Sequence, residues 1–210
     1  MGNDIVDLHT PEAAGKSARQ RFVRRVLTRA EKRFFDRSAA RDIYLWAAWA
    51  AKETAYKALV KKQPDIASWP GLYEASFDCD DFRGTSRCRG LVETGADTVR
   101  VLLDINDDYI HCIGTTSEDL SVDDLPSGVE EIDPGSRNPQ GQSAAVRCAA
   151  ICSIAHFTEV SSSEIEIIRH RNERGFGPPL VYICGKAAGI DLSLSHHGRF
   201  AAFAFVAQGD

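Results

Sequence analysis

The stretch WAAWAAKETAYK, residues 46–57, lies in the longest helix that the sequence predicts. The alanine, leucine and tryptophan residues of this region indicate that residues 39–62 form a helix with one buried side. Within this apolar segment, Trp49, Glu53 and Lys57 recur every four residues and therefore share one helix face. A glutamate four residues before a lysine is also the favourable order for a surface ion pair, so these charges permit either a solvated pair or a functional role.

The charges of the 210-residue chain are unevenly distributed, although its net charge is only −5. Residues 16–41 hold ten lysines and arginines against two acidic residues, a net charge of +8, which leaves −13 for the rest of the chain. Apolar residues recur at three- and four-residue spacing over 17–35, which predicts a helix covered by arginines. Thr28 and Glu31 fit a capping box, which predicts that a second helix begins there. A basic helix on an acidic body favours an anionic partner, with a solvated arginine-rich helix as the alternative.

Short strand-like runs separated by turn residues follow the long helix. Four such runs over residues 71–115 indicate a small meander. Residues 118–142 are acidic, aperiodic and rich in Pro, Gly and Ser, which predicts a linker. A helix near 143–157 and further strand-like runs follow, so a helix followed by a sheet occurs twice. We therefore predict an α+β chain of two similar halves, residues 1–117 and 143–210, joined by the acidic linker.

Several classes of protein are disfavoured by composition. A chain that is 43% hydrophobic and 26% charged is ordinary for a soluble globular protein, and no run of 18 apolar residues predicts a membrane helix. The start MGNDIVDLH has no basic region followed by an apolar one, so no secretory signal is expected. The six cysteines form no C-x-x-C pair, and Cys148 and Cys152 are expected to pack in the core. These features favour a cytoplasmic protein.

An acidic residue lies inside an apolar strand near the chain start, in GNDIVDL, residues 2–8. Side chains alternate along a strand, so Asp4 shares a face with Val6, and Asp7 faces the other way. Such an aspartate is a candidate metal ligand, although aspartates at strand ends often only cap or pair. Mg²⁺ typically takes one or two protein carboxylates and completes its shell with water and phosphate, and Asp4 with Glu53 would supply that number.

Two later stretches carry further polar groups. LSLSHHGRF, residues 192–200, predicts a strand with one polar face that ends in a turn. Its hydroxyl, imidazole and guanidinium groups together suit a phosphate, and a polar hairpin tip is the alternative. RGFGPPL, residues 174–180, by itself indicates only a rigid turn.

In combination, these stretches resemble the 4'-phosphopantetheinyl transferase superfamily. The W-x-x-K-E-x-x-x-K pattern of residues 49–57 and the G-x-D-I pattern of residues 2–5 are similar to the family's two best-defined signatures. RFVRRVLT, residues 21–28, resembles the small holo-acyl-carrier-protein synthase branch, whereas SHHGRF and GFGPPL resemble motifs of the larger surfactin-type branch. In that branch these two motifs precede G-x-D-I, and here they follow it. The resemblance therefore implies a pseudo-dimer with its halves in swapped order, which predicts a monomer.

The resemblance implies an enzyme that transfers 4'-phosphopantetheine from coenzyme A to a serine of an acyl, polyketide or peptidyl carrier protein. Adenosine 3',5'-bisphosphate would be the other product. By motif match, Asp4 and Glu53 would hold Mg²⁺, and Glu53 or a metal-bound water would accept the serine proton. Residues 1–117 would then be the metal-binding and catalytic half, and residues 143–210 the CoA-binding half.

The motif match also implies contacts to coenzyme A, with the site between the halves. Lys57 would contact the phosphates and offset charge in the transition state. Ser195 and His196 would bind the 3'-phosphate. The remaining implied contacts are phosphate contacts from Lys52 and Arg147, and backbone contacts to adenine from Gly177 and Pro178.

One position departs from the pattern of the larger branch. Many surfactin-type members have a second acid where this chain has Val6, so the metal would keep two protein carboxylates, and Asp7 would cap or pair at the strand end. The predicted pair of carboxylates suits Mg²⁺ and Mn²⁺ alike.

The resemblance also gives the basic segment a partner. Carrier proteins are small acidic helical domains, which Arg21, Arg24 and Arg25 would steer electrostatically. Nucleic acid is disfavoured as a partner because the acidic body would repel a long polyanion. A non-catalytic protein that binds a carrier or coenzyme A and retains the fold is the alternative function.

Overall fold

The structure, a computed structural model, describes residues 1–79, 82, 84, 86–95, 97–172 and 175–207. The chain is α+β, as predicted, with helices packed on several small antiparallel sheets. The helices are α1 (Gln20–Val26), α2 (Arg29–Arg37), α3 (Arg41–Leu59) and α4 (Pro139–Thr158). The strands are β1 (Gly2–Asp7), β2 (Glu74–Phe77), β3 (Ser86–Glu93), β4 (Thr98–Ile105), β5 (Tyr109–Thr115), β6 (Ser127–Glu131), β7 (Ile165–Ile168), β8 (Arg171–Asn172), β9 (Gly175–Phe176), β10 (Leu180–Ile183), β11 (Lys186–Ala187), β12 (Ile190–His197) and β13 (Phe200–Ala207).

The capping box predicted at the start of α2 is confirmed. The Thr28 hydroxyl accepts from the Glu31 backbone N–H at 3.3 Å, and the Glu31 carboxylate accepts from the Thr28 N–H at 2.6 Å. These two bonds satisfy amide groups that the first turn of a helix leaves without partners. The basic region therefore forms two short helices, α1 and α2, rather than one long helix.

The first sheet has the order β1-β5-β4-β3-β2, and α3 packs across it. Helix α3 buries a nearly continuous run of small and large apolar residues, including Leu45 and Leu59, against β4 and β5. Strand β1 runs so close to α3 that a Cβ atom at Gly2 would collide with the Thr54 carbonyl oxygen. Glycine at this position therefore allows the close approach that brings the side chains of β1 to the middle of α3.

The C-terminal part of the chain folds around α4. This helix packs on β12 and β13, which belong to a three-stranded sheet of order β12-β13-β6, and a second three-stranded sheet has the order β11-β10-β7. Their shared core contains Ile154, Leu192 and Phe205. In the described part of the chain, no helix is both long and apolar enough to cross a membrane.

Two expectations from the sequence need correction here. Residues 118–142, which were predicted to be a linker without regular structure, contain β6, which pairs with β13, and the start of α4 at Pro139. Cys148 and Cys152 are exposed rather than buried, because α4 turns its opposite side, with Ala150, toward the core. Cys79 and Cys88 form a disulfide, which the spacing of the cysteines did not predict. The domain boundaries and the pseudo-dimeric arrangement of the two halves stay predictions.

The two ends of the described chain meet where β1 lies beside β12. The Asn3 backbone N–H donates to the Ser193 hydroxyl at 2.9 Å. The Asp7 carboxylate, whose side chain is 1% exposed, accepts two side-chain bonds of 3.0 Å and one backbone bond of 2.8 Å from Arg199. Gly198 has a φ of 55°, and a Cβ atom there would collide with Asp7, so only glycine fits this turn.

Asp7 and Arg199 are therefore structural. Burial alone would raise the pKa of Asp7, but the hydrogen bonds from Arg199 outweigh it and hold this pKa below its ordinary value. Asp7 pairs at the strand end, as its alternation along the strand suggested. The Arg199 guanidinium, which was expected to suit a phosphate, is instead occupied by Asp7 and Asp108.

Candidate functional site

A cavity of about 200 Å³ lies where β1 and α3 meet α4 and β12. Five of the predicted site residues line it: Asp4, Lys57, Arg147, Ser195 and His196. The fold thus brings motifs from opposite ends of the chain around one space. The cavity is smaller than the roughly 300–1,000 Å³ of pockets that enclose a drug-sized ligand, so it suits one charged portion of a larger molecule.

Lys57 pairs with the aspartate of β1 rather than with the glutamate of its own helix. Its Nζ donates to the Asp4 carboxylate at 2.7 Å and to the Asn3 carbonyl oxygen at 3.0 Å. The Lys57 side chain is 29% exposed and that of Asp4 is 13% exposed. A solvated ion pair between Glu53 and Lys57, the alternative that the sequence left open, therefore does not describe this helix face.

Glu53 is half-buried, and its carboxylate forms no hydrogen bond with the described residues. Burial, and then the negative charge of Asp4, raise the pKa of Glu53 to about 7, against a smaller opposing effect of Lys57. A carboxylate whose pKa lies near neutral pH can both accept and release a proton. A raised pKa of this kind suits a proton acceptor, and the repulsion between Glu53 and Asp4 would be relieved by a cation held between them.

The donor set fits a hard divalent cation that shares its shell with a ligand. Within the described ranges, no group of three or more His, Cys, Asp or Glu side chains is gathered as a metal centre. Two interacting carboxylates, Asp4 and Glu53, match what Mg²⁺ takes from a protein when phosphate and water oxygens fill the other positions.

The opposite wall of the cavity is suited to an anion. Ser195 is 6% exposed, and its hydroxyl oxygen has no hydrogen-bond partner among the described residues, which is costly for a buried polar group. His196 lies at the exposed rim. Partial burial, and then the charges of Lys57 and other cations around the cavity, lower the pKa of His196. An unpaired hydroxyl among converging positive charges is an arrangement that binds phosphate.

Lys52 is not available to a ligand. It is fully buried, and its Nζ donates to the Glu31 carboxylate and to the Val26 carbonyl oxygen, both at 2.6 Å. The expected phosphate contact from Lys52 is therefore wrong. Lys52 lies on a different side of α3 from Lys57 and ties this helix to α1 and α2.

Gly177 and Pro178 follow β9 and do not line the cavity. The Gly177 N–H donates to the His170 carbonyl oxygen, and the Gly177 carbonyl oxygen accepts from Arg169 Nε, both at 2.8 Å. Their contact with adenine stays a prediction. Arg169 does line the cavity and was missed by the sequence analysis, because nothing local distinguishes it from the other exposed arginines.

The arginines expected to steer an acidic partner are exposed on α1. Arg24 donates to the Gln20 side-chain oxygen at 3.1 Å, and the Arg25 guanidinium lies 5.3 Å from the ring centre of Trp69. No carboxylate of the described residues lies within ion-pair distance of Arg21, Arg24 or Arg25. These side chains are therefore available to a partner.

Neither the curated proteins nor the solved structures contain a significant match to the chain. A family model described as the 4'-phosphopantetheinyl transferase superfamily does match, over residues 1–113 of 210. The match covers more than half of the chain and includes β1 and α3, which carry Asp4, Glu53 and Lys57. The chain therefore belongs to the 4'-phosphopantetheinyl transferase superfamily.

Proposed function

We propose that this protein transfers 4'-phosphopantetheine from coenzyme A to a serine of a carrier protein and releases adenosine 3',5'-bisphosphate. The observation that supports this function best is the shared cavity, in which the Asp4–Lys57 pair faces the unpaired Ser195 hydroxyl. One wall suits a metal-bound pyrophosphate, and the other suits a separate phosphate. Coenzyme A carries both groups in one molecule.

The reaction displaces one oxygen at the β-phosphorus of the pyrophosphate. The serine oxygen forms a bond to phosphorus, and the bond from phosphorus to the bridging oxygen breaks with its electrons on adenosine bisphosphate. Glu53, or a water beside it, accepts the serine proton, consistent with its pKa of about 7. Lys57 contacts the phosphates and offsets the charge that develops there. Mg²⁺ held by Asp4 and Glu53 would supply further neutralisation of the pyrophosphate.

The remaining contacts orient coenzyme A. Ser195 and His196 bind its 3'-phosphate, and Arg147 reinforces the positive potential of that wall. Gly177 and Pro178 contact adenine through backbone groups. These assignments are supported by the cavity lining for the first three residues and by the motif resemblance for the last two.

The carrier serine must reach Glu53 from outside the cavity. Arg21, Arg24 and Arg25 on α1 steer the acidic carrier by long-range attraction, which raises the association rate more than the affinity. We further propose a cytoplasmic monomer, since two halves within one chain take the place of a partner subunit, with the halves in swapped order relative to the surfactin-type enzymes.

A non-catalytic protein that binds coenzyme A or a carrier is the second candidate. The raised pKa of Glu53 favours the enzyme, because a protein that only binds coenzyme A or a carrier needs no proton acceptor beside the pyrophosphate site. Calorimetry with coenzyme A separates the two functions. Metal-independent binding without turnover would support the binding protein.

The direct test is the intact mass of an apo carrier protein after incubation with coenzyme A, Mg²⁺ and this protein. We expect the carrier to gain one phosphopantetheine unit, and we expect no gain when the metal is chelated or when Glu53→Gln replaces the wild type. An unchanged mass for fatty-acid, polyketide and peptide carriers alike would refute the proposed function.

A further inference from the structure

Arg169 contacts both the cavity and the end of β9. It lines the cavity together with Arg147, Ser195 and His196. At the same time its Nε donates to the Gly177 carbonyl oxygen at 2.8 Å, and its Nη2 donates to the Phe176 carbonyl oxygen at 3.3 Å. The guanidinium also lies 5.8 Å from the ring centre of Phe176. Among the described residues, backbone carbonyl groups rather than acidic side chains therefore fix its orientation.

Two guanidinium groups approach one another at this wall. Burial lowers the pKa of Arg169, and the charge of Arg147 lowers it further. Arg147 itself donates to the Ser143 hydroxyl at 2.8 Å. Among the residues that the structure describes, no carboxylate lies within ion-pair distance of either arginine. Like charges held together beside a buried, unpaired hydroxyl indicate that an anion completes the arrangement.

The geometry of arginine allows both contacts at once. Guanidinium has five N–H donors in a planar fork, and the two carbonyl oxygens occupy only one edge of it. The other edge forms no hydrogen bond with the described residues, and Arg169 lines the cavity. Since the fork is held in advance by the Phe176 and Gly177 carbonyl oxygens, little side-chain entropy is lost when the anion binds.

We infer that Arg169 is a specificity-determining residue for coenzyme A: with Ser195 it holds the 3'-phosphate and thereby selects nucleotides that carry this group. The inference rests on the proposed function for the identity of the ligand. It adds to that function a residue that no sequence motif marks, and it assigns the Phe176–Gly177 segment the task of orienting that residue.

The test compares two nucleotides that differ only in the 3'-phosphate, adenosine 3',5'-bisphosphate and adenosine 5'-monophosphate, by calorimetry without any carrier. Charge-assisted hydrogen bonds predict that the wild type prefers the bisphosphate by about ten- to a hundredfold. Arg169→Gln should reduce this preference by about tenfold or more and leave the melting temperature unchanged. Arg171→Gln, which alters an exposed arginine two residues away, is the matched control and should keep the full preference.

A wild-type protein that binds both nucleotides equally, or an Arg169→Gln variant that keeps the full preference, overturns the inference. Neither outcome decides whether the protein transfers phosphopantetheine to a carrier, so the proposed function is judged separately by the mass assay. In turnover, Arg169→Gln should raise the KM for coenzyme A and leave the KM for 3'-dephospho-coenzyme A unchanged. An equal rise for both substrates also overturns the inference, because the effect would then not depend on the 3'-phosphate.

Discussion

Replacement of Glu53 by glutamine should make the metal-free protein more stable at neutral and alkaline pH while it abolishes transfer. Glutamine has nearly the same shape as glutamate but cannot ionise. In the folded protein, burial and Asp4 raise the pKa of the Glu53 carboxyl from 4.5 to about 7. The unfolded chain therefore releases the Glu53 proton near pH 4.5, whereas the folded protein retains it until about pH 7.

The sign and size of the effect follow from this difference. Between pH 4.5 and about 7 the folded state binds more protons than the unfolded state at this site, so the free energy of unfolding falls as the pH rises. One pKa unit corresponds to about 1.36 kcal/mol, so the shift lowers the free energy of unfolding by about 3 kcal/mol. The full reduction is reached above pH 7. Below pH 4.5 both states are protonated, and the reduction vanishes.

The assay is urea unfolding of the wild type and Glu53→Gln from pH 4 to pH 8 in the presence of a chelator. The variant should gain up to about 3 kcal/mol relative to the wild type across this range. Glu12→Gln, at an exposed glutamate, is the control and should show no such trend. Added Mg²⁺ should then stabilise the wild type and not Glu53→Gln at pH 8. A stability difference between wild type and Glu53→Gln that does not change with pH would refute this account of the site.

Three further variants test other parts of the structure. Lys52→Met should lower the free energy of unfolding by about 3–5 kcal/mol, because it leaves the buried Glu31 carboxylate without its cation. A loss below about 1 kcal/mol in urea unfolding would contradict a stabilising buried pair. Asp7→Asn should destabilise the protein at pH 7, and the difference in melting temperature from the wild type should shrink as the pH falls through and below 3.8. The reason is that Asp7, whose pKa is lowered, stabilises the fold only while its carboxylate is charged; a difference that stays constant with pH would count against this. Combined reversal of charge on α1, by replacing Arg21, Arg24 and Arg25 with glutamate, should raise the KM for the carrier at low salt and leave coenzyme A binding intact; equal transfer kinetics would exclude α1 as the steering surface.

Features set by local sequence were predictable. The spacing of apolar residues located α3, and a threonine three residues before a glutamate located the start of α2, because both depend on residues within a few turns. The roles of Lys52 and Lys57 were not separable in this way. Both are lysines of one motif on one helix, and only the position of Glu31, which lies 21 residues before Lys52, decides that the first is structural.

Features set by distant pairing were not predictable from local sequence. Residues 118–142 have the composition of a linker, yet β6 pairs with β13, whose partner residues lie 69 to 77 positions later in the chain. Arg169, which follows β7, is likewise recognisable only once residues of α4 and β12 lie around the same cavity. In each case the deciding neighbour is far away in sequence, where periodicity and composition carry no information.

The bond between Asn3 and Ser193 joins residues that are 190 positions apart. Closing so long a loop costs conformational entropy before any contact across it repays that cost, and long-range contacts of this kind slow folding. The cavity between β1 and β12 is therefore expected to form late, after each sheet has its own hydrogen bonds. A chain caught before that step would have most of its secondary structure and no place for the ligand, so recovery of ligand binding should lag behind recovery of helical circular dichroism during refolding.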